Sequence, residues 1–529
     1  MPRRDRDPAD IARPGAEHAD LPIDPLTVDP LTVEDGDPHL SLRARPTAGA
    51  DLARLAGQAR RDLAALAHPA GEWVRPVFDP SGQHVFDVAI IGAGQSGLVI
   101  GLALKREGVG NVVLLDRNPA GYEGPWETFA RMAVLRTPKE VVGAELGIPS
   151  LSLRTWFEAR YGAEVWDRIS WIPRQDWMRY LRWYRGVADL EIRNQTSVVG
   201  IAPTGDVLTL HAVGPAARGT VLARRIVLAT GQDGGGAWKV PDLIERALPR
   251  GAYVHSNGPI DFERFAGKRI GILGHGGSAF DAALTALSAG AARVDICFRR
   301  PRLPVVNPHR WLGFSAIFAH YPALDDRIRW NIARHFDLHD QPPPRHTFDR
   351  ACRQPGLQVH ADSTWEEVHW TGDAVEIVTR HRRFSFGFVI CATGVSFDLA
   401  LRPELDGIAQ YIALWSDRFV PEPDEAHAAL GKLPYLGKSY EFLEKVPGAA
   451  PWLSCIHAFN FSAMPSMGPV STGISGHRYA VPRLVRGITR SLFLEQADTL
   501  LPGLRGFAEP ELEPYAATMF SPAAAGFEG

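Results

Sequence analysis

Two glycine-rich turns, each set between an apolar strand and a helix-forming run, constrain this chain more than any other feature. The first lies in Phe86-Asp-Val-Ala-Ile-Ile-Gly-Ala-Gly-Gln-Ser-Gly97 and the second in Lys268-Arg-Ile-Gly-Ile-Leu-Gly-His-Gly-Gly-Ser-Ala279. In the first, Gly92 permits a tight turn off the strand, and Gly94 lets the backbone approach a pyrophosphate. Gly97 lets the next helix pack closely on the sheet with its N-terminus toward the phosphates, and Gln95 and Ser96 sit in that first turn. A helix over Leu98–Lys105 and a strand over Asn111–Leu115 should follow. Asp116 and then Arg117 end that strand, where an acid is placed to bind a ribose hydroxyl. Glycines, helix, strand and terminal acid in this order predict a dinucleotide site.

The second turn repeats the arrangement with Gly274, Gly276, Gly277 and Ser278, and with Ala279 in place of the third glycine. Its second strand, Val294–Phe298, runs into Arg299, Arg300 and Arg302 instead of an acid. Arginines there suit a ribose 2′-phosphate, which favours NADPH over NADH. A solvated basic loop is the alternative. A chain that binds two dinucleotides is expected to pass electrons between them.

Composition removes rival classes. A chain of 529 residues should form two or more domains. A formal net charge of -3 gives no electrostatic case for nucleic acid or an anionic membrane. The apolar run Val88–Leu104 carries glycines and a Gln-Ser pair, which fit strand, loop and helix better than a membrane span. No apolar core follows the charged N-terminus, so a cytoplasmic protein is expected. Cys297, Cys352, Cys391 and Cys455 are far apart, with no CxxC pair for thiol redox chemistry and no metal-ligand spacing. The hard chemistry should therefore come from cofactors, with the protein placing and shielding them.

The expected fold is α/β, with two Rossmann-like dinucleotide-binding domains and an N-terminal extension. Residues 1–83 read as an arm: Asp24-Pro-Leu-Thr-Val28 repeats at once as Asp29-Pro-Leu-Thr-Val33, with disorder to about residue 48 and a helix over Asp51–Ala67. Residues 84–240 are assigned to the first cofactor domain, 241–385 to an inserted second one, and 386–529 to the return into the first. Two strands ending in Ala-Thr-Gly, with Thr230-Gly231 and Thr393-Gly394, bracket the insertion. Each is expected to carry the chain past the first site.

Further stretches resemble the class B flavoprotein monooxygenases, the superfamily of flavin-containing monooxygenases, Baeyer–Villiger monooxygenases and amine N-hydroxylases. Gly124-Pro-Trp126 is similar to the family's turn beside the flavin, and Leu135-Arg-Thr-Pro-Lys-Glu140 to the segment after it. Pro173–Tyr184 resembles the family's aromatic helix before the Val198-Val199 strand, and Gly251-Ala-Tyr-Val-His255 its Gly-x-x-x-His signature. Pro249 stands where that signature carries an aromatic, and Val395 where siderophore N-hydroxylases carry tyrosine, so the branch stays open.

The resemblance implies FAD on the first site and NADPH on the second. It implies a reaction with O2, through a flavin (hydro)peroxide, on a small nitrogen-containing substrate. Lys139, Arg136 and His255 become the candidate assisting side chains, and Trp126 and Val199 join the cofactor set. The alternatives are an NADPH oxidase or reductase, a Baeyer–Villiger enzyme, or a non-catalytic redox-sensing flavoprotein. A homo-oligomer is compatible with the reading.

Overall fold

In the computed structural model, which describes residues 42–69, 71–215, 219–509 and 511, a mixed sheet and an all-parallel one are built around the two glycine turns. The strands of the first part are β1 (Val77–Phe78), β2 (His84–Ile91), β3 (Val112–Leu115), β4 (Glu191–Arg193), β5 (Ser197–Thr204), β6 (Val207–Val213) and β7 (Gly219–Leu228). Every residue of β2 after His84 is buried, so the strand must lie inside a sheet covered on both faces. It does: the order is β4-β3-β2-β7-β6-β5, with β2, β3, β4 and the β2–β7 pair parallel. Its one buried charge, Asp87, accepts from Arg224 at 3.0 Å, and Arg224 also donates to Glu495 at 2.6 Å on the closing helix His477–Glu495.

The apolar run that resembles a membrane span divides as expected. β2 ends at Ile91, and the helix Gln95–Arg106 follows with Gly97–Leu104 buried throughout. Among the described residues no helix is long and apolar enough to cross a membrane. The N-terminal helix spans Ala48–Ala65 and packs on the body: Arg60 donates to the Gly186 carbonyl, Ser150 to Asp62, and the Trp183 indole to the Leu52 carbonyl. The repeated pentapeptide and the rest of residues 1–41 lie outside the described residues.

After a linking strand β8 (Gly236–Trp238), the second part contributes β9 (Tyr253–His255), β10 (Arg269–Leu273), β11 (Arg293–Cys297), β12 (Leu357–His360), β13 (Trp365–Trp370), β14 (Val375–Thr379), β15 (Arg383–Phe386) and β16 (Phe388–Cys391). β12-β11-β10-β16-β9 form an all-parallel sheet, and β13-β14-β15 an antiparallel one. The boundary expected at residue 386 therefore falls too early. β16 pairs with β10 from Ile270↔Phe388 to Leu273↔Cys391, so it belongs to the second sheet. The crossing back comes at β17 (Val395–Phe397), which pairs antiparallel with β8 in a two-stranded link, and β18 (Ile456–His457) then rejoins the first sheet beside β7.

Cys297 and Cys391 flank Leu273 in register and are fully buried, so they serve as core residues. Burial pushes both thiols up to about 12, which keeps them protonated and unreactive.

The second sheet is pinned by Asp295, fully buried in β11 and held by Arg269 at 2.7 Å, Arg293 at 2.9 Å and His360 at 2.7 Å. Burial alone would raise its carboxyl. The hydrogen bonds from His360, Arg269 and Arg293 outweigh that and hold it well below the usual range. Asp295→Ala should cost about 3 kcal/mol by stranding its partners, read as a lower urea midpoint of the holoprotein. Because the folded-state value is depressed, this stabilisation is complete above the ordinary carboxylate value of 3.8 and fades as pH falls below it. The variant and the parent should converge in acid, and an unchanged midpoint at neutral pH would contradict the role.

Candidate functional site

At the first turn, Gly92 has φ +104°, and a Cβ there would lie 2.4 Å from the Ala229 carbonyl oxygen at the end of β7. A Cβ on Gly97 would lie 1.9 Å from the Gly92 oxygen, so the helix could not seat. Gly94 caps that helix, and a Cβ there would meet only Gly124, whose Cα and N lie at an ordinary 3.6 and 3.7 Å. The space Gly94 keeps open is thus required by no neighbouring protein atom, which fits a backbone cleared for a pyrophosphate.

Asp116 is buried at the end of β3, where it accepts from the Ala93 and Asn118 N–H groups at 2.8 Å each. Burial raises its carboxyl despite those bonds. Arg117 beside it is exposed. The Gln95 side chain accepts from the Trp177 indole at 3.2 Å, and Ser96 Oγ lies 3.0 Å from Nε2 of buried His477. Trp126 is buried edge-on to Trp177, and its indole N–H has no protein partner among the described residues. Val199 sits on β5 with an exposed side chain. Thr230 accepts from Asn460 at 3.2 Å, and Gly231, at φ +77°, bridges to Asn460. These groups fit FAD: cleared backbone, a helix N-terminus, an acid at the ribose position and an unpaired indole donor.

The second turn reproduces the first. Gly274 has φ +133°, and its Cβ would lie 2.2 Å from the Ala392 carbonyl oxygen. Gly276 caps the helix Gly277–Ser288 with nothing near its absent Cβ, Ser278 is exposed in the first turn, and Ala279 is buried. The second Ala-Thr-Gly therefore stands over its own glycine turn, not over the first one. The Thr393 hydroxyl donates to the Lys239 carbonyl, and Gly394, at φ +77°, accepts from the Lys239 N–H at 2.9 Å. Arg299 is exposed, while Arg300 donates to Asp340 at 2.7 Å and to the Leu338 carbonyl at 3.0 Å. A cleared turn with arginines at the neighbouring strand end fits a nicotinamide dinucleotide.

The three candidate assisting residues take different positions. Arg136 reaches across to the second domain: it donates to buried Asp281 at 3.1 Å and covers Gly277, whose Cβ would lie 2.2 Å from its Nη2. Lys139 donates to the Trp166 and Ile169 carbonyls at 2.8 and 2.7 Å, which commits its ammonium to the chain beside a helix end. His255 receives the Asn257 N–H on Nδ1 at 3.1 Å, so its proton sits on Nε2 and is donated to the Gly394 carbonyl at 2.9 Å. Burial lowers its basicity, and Trp238 stacks on its ring at 5.7 Å.

Residues that sequence reasoning missed complete the junction. Arg131 donates across it to the Ser256 and Gly258 carbonyls at 2.6 and 2.9 Å. Asp281, an acid amid the alanines of an apolar helix, was the one legible signal. Beside the junction lies a cavity of about 1760 Å³, lined by Arg136–Val142 and Val470–Tyr479 residues of the first part and by 303–354 residues of the second. The loop Met464–Gly473 contributes Val470 and Gly473 to it. Trp177 and Trp183 are packing residues, but Trp171 lines the cavity, 5.6 Å from the His346 ring.

Two dinucleotide cradles meeting at one junction are the arrangement of a two-nucleotide flavoprotein, and comparison with known proteins makes it a monooxygenase that uses FAD and NADP(H). Residues 89–233 match the FAD-NAD(P)-binding family model, and residues 165–309 match that of L-lysine 6-monooxygenase/L-ornithine 5-monooxygenase. The chain belongs to the family of the FAD-dependent urate hydroxylase of Xanthomonas campestris pv. campestris, with 43% identity over 460 residues, 87% of this chain and 97% of that relative. The fold is shared with ornithine hydroxylase of Pseudomonas aeruginosa (TM-score 0.61, 17% identity, 77% of this chain and 100% of that one). It is shared also with Kutzneria ornithine N-hydroxylase bound to reduced FAD, NADP+ and L-ornithine (TM-score 0.59, 15% identity, 77% and 99%).

Two glycine substitutions test the cradles separately, because neither strains the protein. Gly94→Ala should release FAD, raising its Kd at least about tenfold through lost charged hydrogen bonds, with the apoprotein's melting temperature retained. Gly276→Ala should retain FAD and weaken NADP+ by a similar factor in a spectral titration. Full flavin content in the first variant would remove the pyrophosphate from that turn.

Proposed function

We propose that this chain hydroxylates urate, or a closely related anionic heterocycle, at the expense of NADPH and O2. The near full-length likeness to a urate hydroxylase carries the reading. The charge of the cavity supports it: Arg136, Arg310, Arg345, Arg350, Arg353 and Arg478 line it against two acids, Glu140 and Asp349. Even with Arg136 committed to Asp281 and Arg345 to Asp349, the excess of arginines over acids favours an anionic substrate and disfavours the cationic side chain of lysine or ornithine.

When bound, FAD supplies the redox chemistry, accepting hydride from the nicotinamide and activating oxygen. The protein's part is to bind, orient and exclude water. In this reading Gly92, Gly94, Gly97 and Asp116 hold the flavin nucleotide, and Gly274, Gly276, Ser278 and the Arg299-Arg300 pair hold the nicotinamide nucleotide. Arg136 fixes the second cradle against the first through Asp281, and His255 fixes the link at Gly394. Both act as positioning residues, and Lys139 is a structural strut.

In this reading Trp171, which lines the cavity with the His346 ring tilted against it at 5.6 Å, stacks on the planar substrate ring. Burial, and then the charges of Arg136 and Arg350, keep His346 neutral, so it can exchange a hydrogen bond with the substrate without adding to the positive charge.

Urate should disappear one for one with NADPH, and one atom of labelled O2 should enter the product. Lysine and ornithine should give no coupled product. Equimolar peroxide with urate untouched would establish an NADPH oxidase instead. Trp171→Ala should raise the KM for urate roughly tenfold by loss of stacking, with flavin content unchanged.

A further inference from the structure

A second cationic space lies along the closing helix His477–Glu495. It is a groove of about 850 Å³ between that helix, the end of β18 and the loop at Lys438-Ser439, and no residue of either glycine turn lines it. Arg478, Arg486 and Arg490 follow one another at intervals of eight and four residues, so they fall along one side of the helix. Like charges at such spacing repel and weaken a helix. Lys438 joins them because of one glycine. A Cβ on Gly487 would lie 2.2 Å from the Ser439 side chain, so the loop seats directly on the helix at the position after Arg486.

These four cations are exposed, and among the described residues none has a carboxylate partner. Arg225 also lines the groove, but it is buried and already paired with Glu495. The one acid in the lining, Glu441, is turned to the Ser439 N–H at 2.7 Å. A concave surface with this excess of positive charge draws an anion. Arg478 and Tyr479 line the large cavity as well, so the two spaces share a wall.

His457 adds a second demand. It lines the groove from β18 and is only 3% exposed. Its Nδ1–H donates to the Ser439 carbonyl at 2.9 Å, which leaves Nε2 an acceptor, buried and with no partner among the described residues. Burial pushes the ring's pKa down to about 4, so it stays neutral amid the arginines. Guanidinium groups call for anionic oxygens, and an unpaired imidazole acceptor calls for a proton donor. Hydrogenphosphate presents both, in its charged oxygens and its P–OH group. Sulfate has the same shape and charge without the proton.

We propose that this groove is a second anion site, built for a hydrogenphosphate group. The group is either the free ion or part of a small hydroxylated phosphate ester. Its charged oxygens meet Arg486, Arg490 and Lys438, and a hydroxyl of the ligand donates to His457 Nε2. The site stands independently of which substrate the large cavity takes.

The test is titration calorimetry of the FAD-loaded protein, saturated with NADP+ to fill both cradles and held at constant ionic strength. Inorganic phosphate should bind with a Kd below about 1 mM, and sulfate about tenfold more weakly. Glycerol 3-phosphate serves as the ester probe. Tighter binding than inorganic phosphate assigns the site to an ester, and weaker binding assigns it to the free ion. Arg486→Gln combined with Arg490→Gln should weaken phosphate at least about tenfold, with flavin content and melting temperature retained. Neither residue lines the large cavity, so that loss places the anion in the groove. His457→Leu should bring phosphate and sulfate within about twofold of each other. No phosphate binding by the parent, or unchanged affinity in the double arginine variant, overturns the site. Equal affinity of the parent for sulfate and phosphate overturns its assignment to hydrogenphosphate.

Discussion

A carbonyl oxygen pressed against a glycine holds this architecture together, and it occurs twice. Ala229 closes over Gly92 and Ala392 over Gly274, each from the parallel strand next to the glycine turn. No side chain fits beneath either oxygen, and both glycines adopt positive φ. This close approach lets each turn bring its helix N-terminus down onto the strand ends. The nucleotide cradle, the buried helix and the cleft beside it all follow from that one steric fact. The two Ala-Thr-Gly segments are therefore equivalent parts of two equivalent folds.

The two folds become one site through a few polar contacts and a short double strand. β8 and β17 run side by side as the outgoing and returning links, and His255 bonds the end of β9 to Gly394 just before β17 begins. Arg131 and Arg136 cross the junction at separate points, onto backbone carbonyls and onto Asp281. Both arginines follow the Gly124-Pro-Trp126 turn beside the first cradle, so the flavin-side segment also locates the second domain. Hydride transfer needs two rings held face to face, and a polar, partly buried junction suits that better than a broad apolar one. It fixes geometry without locking the domains.

Charge is distributed in keeping with this division of labour. Buried charges that stabilise the sheets, such as Asp87 with Arg224 and Asp295 with Arg269, are fully paired. Around the cavity arginines outnumber acids six to two, with Arg136 paired to Asp281 and Arg345 to Asp349. A chain of net charge -3 thus carries a locally cationic site.

The sequence by itself determined both glycine turns and the strands and helices that flank them, because glycine spacing and strand hydrophobicity are local properties that local physics reads directly. The turns at Gly92–Gly97 and Gly274–Ala279, with their strands and helices, were legible for that reason, as was the helix near residue 51. Tertiary structure decided everything that depends on which distant segment a strand or loop meets. It placed β16 in the second sheet and moved the domain boundary from 386 to the β17 crossing. It committed Lys139 to two carbonyls, put Trp171 in the cavity wall, and set Asp340 against Arg300. None of these contacts has a spacing rule, since each joins residues far apart in sequence whose meeting is fixed only when the sheets are stacked.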